Sequence, residues 1–195
     1  MNTPLRLGAA LGALSGLLIV VASSVEFVAG ETAATGLALA LSPAFGLPLI
    51  VALYFGQQHA SGALASIGFT LNLVGLGLFG GAAFALNVVL IHVDAAVVDA
   101  LPGAVTAAFL GSALVFSAGT VVFGVAMLRA GVYPRVPAAV YAFAFPLIAL
   151  LAPLPDNLFI SAVHVVSGAG LIWLAVALSE KASRPQVVTR APAAV

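Results

Sequence analysis

Six basic and six acidic side chains are all the charge in this chain of 195 residues, and all but Glu26 fall outside the long apolar runs. A soluble domain covers itself with charge, typically about a quarter of its residues. Here 6% are charged and 63% are hydrophobic, so the surface must face something other than water. A helix that crosses a bilayer takes about 20 apolar residues. Six runs meet that need: 7–28, 34–55, 62–92, 104–128, 136–151 and 157–178. The expected fold is all-α, a six-transmembrane-helix bundle in the cell (cytoplasmic) membrane. Residues 1–179 form one transmembrane domain, and 180–195 a polar, proline-containing disordered tail in the cytoplasm.

This composition excludes several classes. Mean hydropathy of +1.25 leaves no residues for a large catalytic domain outside the bilayer. Net charge is zero and no basic patch occurs, so nucleic acid is not an expected partner. Cysteine is absent, which removes disulfide scaffolds and thiolate metal sites.

Two runs are unusual. The third, 31 residues at 1.5 Å each, is about 46 Å long against a hydrocarbon core of about 30 Å. It must tilt, kink or extend into the interface. The fifth is short and contains Pro146, so flanking residues have to complete its crossing. Between spans three and four, Val93, Val97, Val98 and Leu101 fall at helical spacing beside Asp94 and Asp99, which predicts a short interfacial helix. Gly131 after Arg129 reads as a helix stop. Pro134 and Pro137 restart the chain, and Asp156 reads as the N-cap of the sixth span.

Six spans put both termini and the loops after spans two and four on one side. Arg6, Arg129, Arg135, Lys181, Arg184 and Arg190 all fall there, whereas Glu26, Glu31, Asp94, Asp99 and Asp156 collect on the other. Positive loops stay cytoplasmic, so the expected orientation is N-in/C-in. Tyr54, Tyr133 and Trp173 fall near the same boundary, where an aromatic belt belongs. A competing reading takes Arg6 and the run from Leu7 to Val21 as a signal peptide, but the run continues past Glu26.

Lipid gives helices no hydrophobic reason to associate, so they pack through small residues. Gly8, Gly12 and Gly16 form such a stripe in span one, Gly77 and Gly81 in span three, and Thr120 and Gly124 in span four. Packing within the chain is the plain reading, and a homo-oligomer face the sharper one.

Ionisable groups inside spans are costly and point to function. His164 lies about two turns into span six, with Ser161, Ser167 and Gly168 on its face. Glu26 lies near the outer end of span one, and His92 ends span three beside Asp94. Together they form a candidate polar site in the outer half: His164, Glu26, His92 and Ser161. It could serve as a proton or solute relay, as a His/Glu metal site, or as a two-histidine haem site. Alternatively His164 only packs, while Glu26 and His92 reach the headgroups. Asn72 and Asn87 lie deeper on span three. His59, with Gln57 and Gln58, reads as a polar segment leaving the membrane. Metal-ligand spacing on one helix, phosphate loops and nucleophile elbows are all missing. No catalytic residue, metal or cofactor is therefore expected. The leading function is a binding or transport bundle for a small or lipophilic molecule. The alternatives are an accessory or assembly subunit of a larger membrane complex, and a haem- or metal-binding membrane protein.

The stretch Gly119–Arg135 ends in Leu128-Arg-Ala-Gly-Val-Tyr-Pro-Arg135. It resembles a group of uncharacterised small multi-pass membrane proteins of high-GC bacteria, in which a Gly-rich span ends in a Leu-Arg-x-Gly-Val-x-Pro-Arg loop. The resemblance covers spans three to five. It implies a small multi-pass protein of the bacterial cell membrane and carries over no active residue.

The orientation has a direct test. A reporter active only in the cytoplasm should give signal when fused after Arg190 and none after Asp156; reversed activity would sink the N-in/C-in assignment.

Overall fold

Inside lipid every peptide group needs a partner from the chain itself, and a helix supplies one. The computed structural model describes residues 2–152, 154 and 157–183, and among these no strand occurs. The helices are α1 (Asn2–Ala29), α2 (Ala33–Gln57), α3 (Ala63–Phe84), α4 (Ala95–Asp99), α5 (Gly103–Ala130), α6 (Arg135–Leu151) and α7 (Leu158–Ser183). Among the described residues, five segments are long and apolar enough to cross a membrane: Thr3–Ala29, Ala33–Gln57, Ala63–His92, Gly103–Ala130 and Leu158–Ser183. Helix α6 is apolar but shorter, at 17 residues.

The over-long third run changes pitch. After Phe84 it widens into a π-helical turn, Ala85–Val89, in which the Leu90 amide donates back to the Ala85 carbonyl. It then tightens into a 3-10 turn, Leu90–His92, and leaves the helix at the extended Val93. The short helix expected next is α4, whose first turn is capped by Asp94 accepting from the Ala96 amide at 2.9 Å.

Helix ends follow local chemistry. Gly131 takes φ +63°, a left-handed conformation that costs glycine nothing, and its amide donates to the Met127 carbonyl at 3.1 Å. Pro134 precedes α6 and Pro137 sits in its first turn, where a missing amide hydrogen costs no helical bond. At the start of α7 the capping oxygen belongs to Asn157, which accepts from the Ile160 amide at 3.1 Å. Asp156, expected as that cap, lies outside the described residues; of the stretch 180–195 expected to be disordered, the first four residues continue α7 to Ser183, and 184–195 lie outside the described residues.

The six larger helices form a closed ring. Helix α1 packs on α2 and α7, α3 on α2 and α5, and α6 on α5 and α7. Closure depends on Gly16 and Gly168. A Cβ on Gly16 would lie 2.5 Å from the Gly168 carbonyl oxygen, and one on Gly168 would lie 2.6 Å from the Gly16 carbonyl oxygen. Gly8 meets Pro48 and Ala52 of α2, Gly12 meets Leu49, and Gly124 of α5 meets Ala142 of α6. These glycines and the buried Thr120 therefore serve packing within the chain.

Gly77 and Gly81 do not. Neither would bring a Cβ within 4 Å of any atom. The reason is the face of α3 they occupy: Gly80, on an adjoining face, packs on Pro43 of α2, and further along Asn87 lies against Gly36. Buried residues on α3 end at Leu76, and those on α5 begin at Ser112. The tight part of the bundle is filled by Leu49, Leu53, Phe123, Met127, Leu174 and Leu178.

The two kinds of glycine should respond differently. Gly16→Leu should lower unfolding stability in detergent by roughly 1–3 kcal/mol or more through overpacking. Gly81→Leu should change it by less than about 0.5 kcal/mol. Equal losses would contradict this division.

Candidate functional site

The polar residues of the candidate site are only partly drawn together. Helices α1 and α7 run antiparallel, with Gly16 against Ile172 and Val20 against Gly168. Four residues further along α1 and four back along α7, Ser24 is level with His164, and Glu26 lies about 3 Å beyond. Glu26 is half-buried and continues the inward stripe Gly12, Ser15, Ile19 and Ala22. In that stripe Gly12 and Ser15 meet Leu49 and Ser42 of α2, so Glu26 lies on the α2 side of α1 and not in the α1–α7 seam with His164.

The face around His164 divides. Ser167 and Gly168 are buried toward α1, whereas His164 and Ser161 are half-buried at the edge. The His164 Nδ1 lies 2.9 Å from the Ile160 carbonyl oxygen of its own helix. That contact requires Nδ1 to donate, which leaves Nε2 as the ring's other polar atom. His92 is exposed at the end of the third segment, and α3 is a ring neighbour of α2 and α5. It stands apart from the α1–α7 seam. Among the described residues no three His, Cys, Asp or Glu side chains gather as metal ligands. The His92–His164–Glu26 metal arrangement is thus not assembled, and the two histidines belong to segments that are not neighbours in the ring.

A more deeply buried polar contact lies in the middle of the bundle. Asn72 of α3 is fully buried, and its Nδ2 donates to the Tyr141 hydroxyl of α6 at 2.6 Å. The Phe123 ring of α5 meets Tyr141 edge-on, and Gly119 admits the Asn72 backbone. The Asn72 Oδ1 and the Ser117 Oγ are buried without a hydrogen-bond partner. The sequence carried a signal for this pair. The buried positions of α3 are Ala65, Gly68, Asn72, Gly75 and Leu76, so Asn72 is the polar member of a small-residue stripe at helical spacing.

Gln57 also departs from expectation. It is no exit-loop residue but is buried, and neither of its amide atoms has a partner. Its neighbour Gly56 lies against the Tyr133 hydroxyl, which donates to the Leu53 carbonyl at 2.9 Å. Burial pushes the Tyr133 phenol above its ordinary range, so it remains a donor. The Lys181 ammonium lies 5.9 Å from that ring's centroid. His59 is exposed.

A different feature is an open apolar groove. Between α1 and α2, at the end of the bundle carrying Arg6, lies a groove of about 600 Å³. Its floor is the contact of Gly8 with Pro48 and Ala52. Pro4, Leu5 and Leu7 line one side, Leu47, Val51 and Phe55 the other, and Gln58 supplies the polar end. Leu7 and Phe55 are more than half exposed, so the walls stand out from the bundle. Ligand pockets run from about 300 to 1,000 Å³ and are mostly apolar with a few polar groups. Periodicity could not reveal this one, because it arises from how two apolar helices cross.

Comparison with protein-family models, with curated proteins and with solved structures finds no match to this chain.

The central hydrogen bond can be weighed by mutation. Tyr141→Phe strands the Asn72 amide and should cost about 1–3 kcal/mol. Asn72→Leu in the same chain should recover part of that loss. Additive losses in a double-mutant cycle would show that the two side chains do not act as a pair.

Proposed function

We propose that this chain is a six-span, N-in/C-in protein of the cytoplasmic membrane that binds a lipophilic molecule entering sideways from the bilayer. The groove between α1 and α2 carries this reading: an apolar trough with one polar end, on a bundle whose centre is filled by side chains. Helix α6 serves as the sixth crossing. Its 17 residues span about 26 Å, and the turn at Tyr133–Pro134 adds to that length. The antiparallel α1 and α7 and the collection of cations at one end support the orientation. The leading role is binding. Glu26 and His164, both half-buried, supply polar groups for a second, outer station should the molecule be moved across. The resemblance of the α5–α6 loop to small multi-pass bacterial proteins is in keeping with this placement.

A second reading is favoured by one observation. Gly77 and Gly81 face outward with nothing against them, as a docking face for a second copy or a larger membrane complex would require. That face would make the chain an accessory subunit.

A photoactivatable alkyl diazirine in proteoliposomes tests the first reading. Labelling of Leu7, Val51 and Phe55 should saturate and be displaced by excess non-photoreactive alkane. Unsaturable labelling spread evenly over all lipid-facing helices would overturn it. Loss of a discrete oligomer in Gly77→Leu/Gly81→Leu would instead favour the second.

A further inference from the structure

We infer that Tyr133 is a lid over the end of the bundle that carries Lys181, and that its hydrogen bond to α2 governs the entry of water to the buried Gln57 side chain. The inference is independent of the α1–α2 groove. Tyr133 stands in the turn between α5 and α6, yet it is only 4% exposed. Its hydroxyl donates to the Leu53 carbonyl of α2 at 2.9 Å, and the Lys181 ammonium of α7 lies 5.9 Å from its ring centroid. Gly56 makes room for that hydroxyl. A Cβ there would overlap it and would lie 3.3 Å from Leu178 of α7. The ring neighbours of α2 are α1 and α3. One side chain from the α5–α6 turn thus crosses the mouth of the ring to reach α2, with α7 beside it.

What lies under the lid is unsatisfied. Gln57 is one turn beyond Leu53 on the same face of α2. In the helical pattern its backbone amide bonds the same carbonyl that takes the Tyr133 hydroxyl. Its side chain is 1% exposed, and neither Nε2 nor Oε1 has a partner. A buried amide without partners costs its full desolvation, and hydration would recover that loss. Gln57 is also placed where water is near, because Gln58 is half-buried and His59 exposed. On its other side Leu53, Phe123, Met127, Leu174 and Leu178 fill the core, so water admitted by the lid stops at Gln57. The closed mouth therefore balances the contacts of Tyr133 against the hydration of one amide.

The chain has no cysteine, so a single introduced thiol reports on the lid. Gln57→Cys is placed in nanodiscs, where both membrane faces meet water, and treated with a water-soluble methanethiosulfonate. With Tyr133 in place it should react far more slowly than the exposed control His59→Cys. Tyr133→Phe removes only the hydroxyl and should speed the reaction about fivefold, the worth of one hydrogen bond. Tyr133→Ala should bring it near the His59→Cys rate, and neither change should alter His59→Cys itself. The conservative Tyr133→Phe keeps the test readable if Tyr133→Ala does not fold. Gln57→Leu, which lacks the orphaned atoms, should raise the unfolding temperature. Gln57→Cys reacting as fast as His59→Cys beneath native Tyr133, or at a rate that Tyr133→Phe leaves unchanged, would overturn the lid. An unchanged or lower unfolding temperature in Gln57→Leu would show the amide to be satisfied in the closed bundle and would overturn its part in the balance.

Discussion

The contact of Gly16 with Gly168 sets backbone against backbone between the first and last helices, and the rest of the bundle depends on it. In lipid, apolar surface gains nothing by leaving its surroundings, so association rests on close van der Waals approach. Two glycines permit that approach, and the ring from α1 through α7 closes on itself. Closure fixes α1 in turn. With one side held to α7, its Gly8–Gly12 side lies against Pro48, Leu49 and Ala52 of α2. The α1–α2 groove is the space left where the flanking Leu7 and Phe55 diverge from that contact.

Polar side chains add little cross-linking to this arrangement. Most hydroxyls bond back to their own helix, as Ser24 does to Val20, Ser112 to Phe109, Thr120 to Ser117 and Ser167 to Val163. His164 does the same with Ile160. Among the described residues, bonds between elements include Ser15 to Ser42, Tyr54 with Ser66, Asn72 to Tyr141 and Tyr133 to Leu53. An interhelical hydrogen bond in a membrane contributes only about 0.6–2 kcal/mol. Shape complementarity therefore holds the bundle, and a side chain such as His164 is satisfied without a partner helix. A recess open to lipid is the functional feature such a bundle presents most plainly.

Much of this was legible in the sequence because hydropathy and helix punctuation are local. The apolar runs correspond to helices whose ends lie close to the expected bounds, and the third run changes pitch as its excess length required. Gly131 was readable as a cap because a left-handed residue after a basic last turn is a one-residue signal. Placement around the ring was not legible. Gly8-x-x-x-Gly12 and Gly77-x-x-x-Gly81 have the same spacing, yet one is packed and the other faces outward. Only the face that each helix turns to its neighbours separates them: Gly80, beside the second pair, packs on Pro43 of α2. Likewise Asn72 and Asn87 looked equivalent, but Asn72 bonds Tyr141 across the core, whereas Asn87 bonds the Ala83 carbonyl of its own turn.

The central claim is that the groove beside Val51 opens to lipid rather than to water. The chain has no cysteine, so Val51→Cys gives a single attachment point for a nitroxide. Its relaxation in liposomes can be compared between oxygen, which concentrates in the hydrocarbon, and a water-soluble nickel chelate. A groove open to the bilayer predicts strong relaxation by oxygen and weak relaxation by nickel. Dominant relaxation by nickel would show an aqueous recess, and protection from both would show a closed interior; either result would contradict the account.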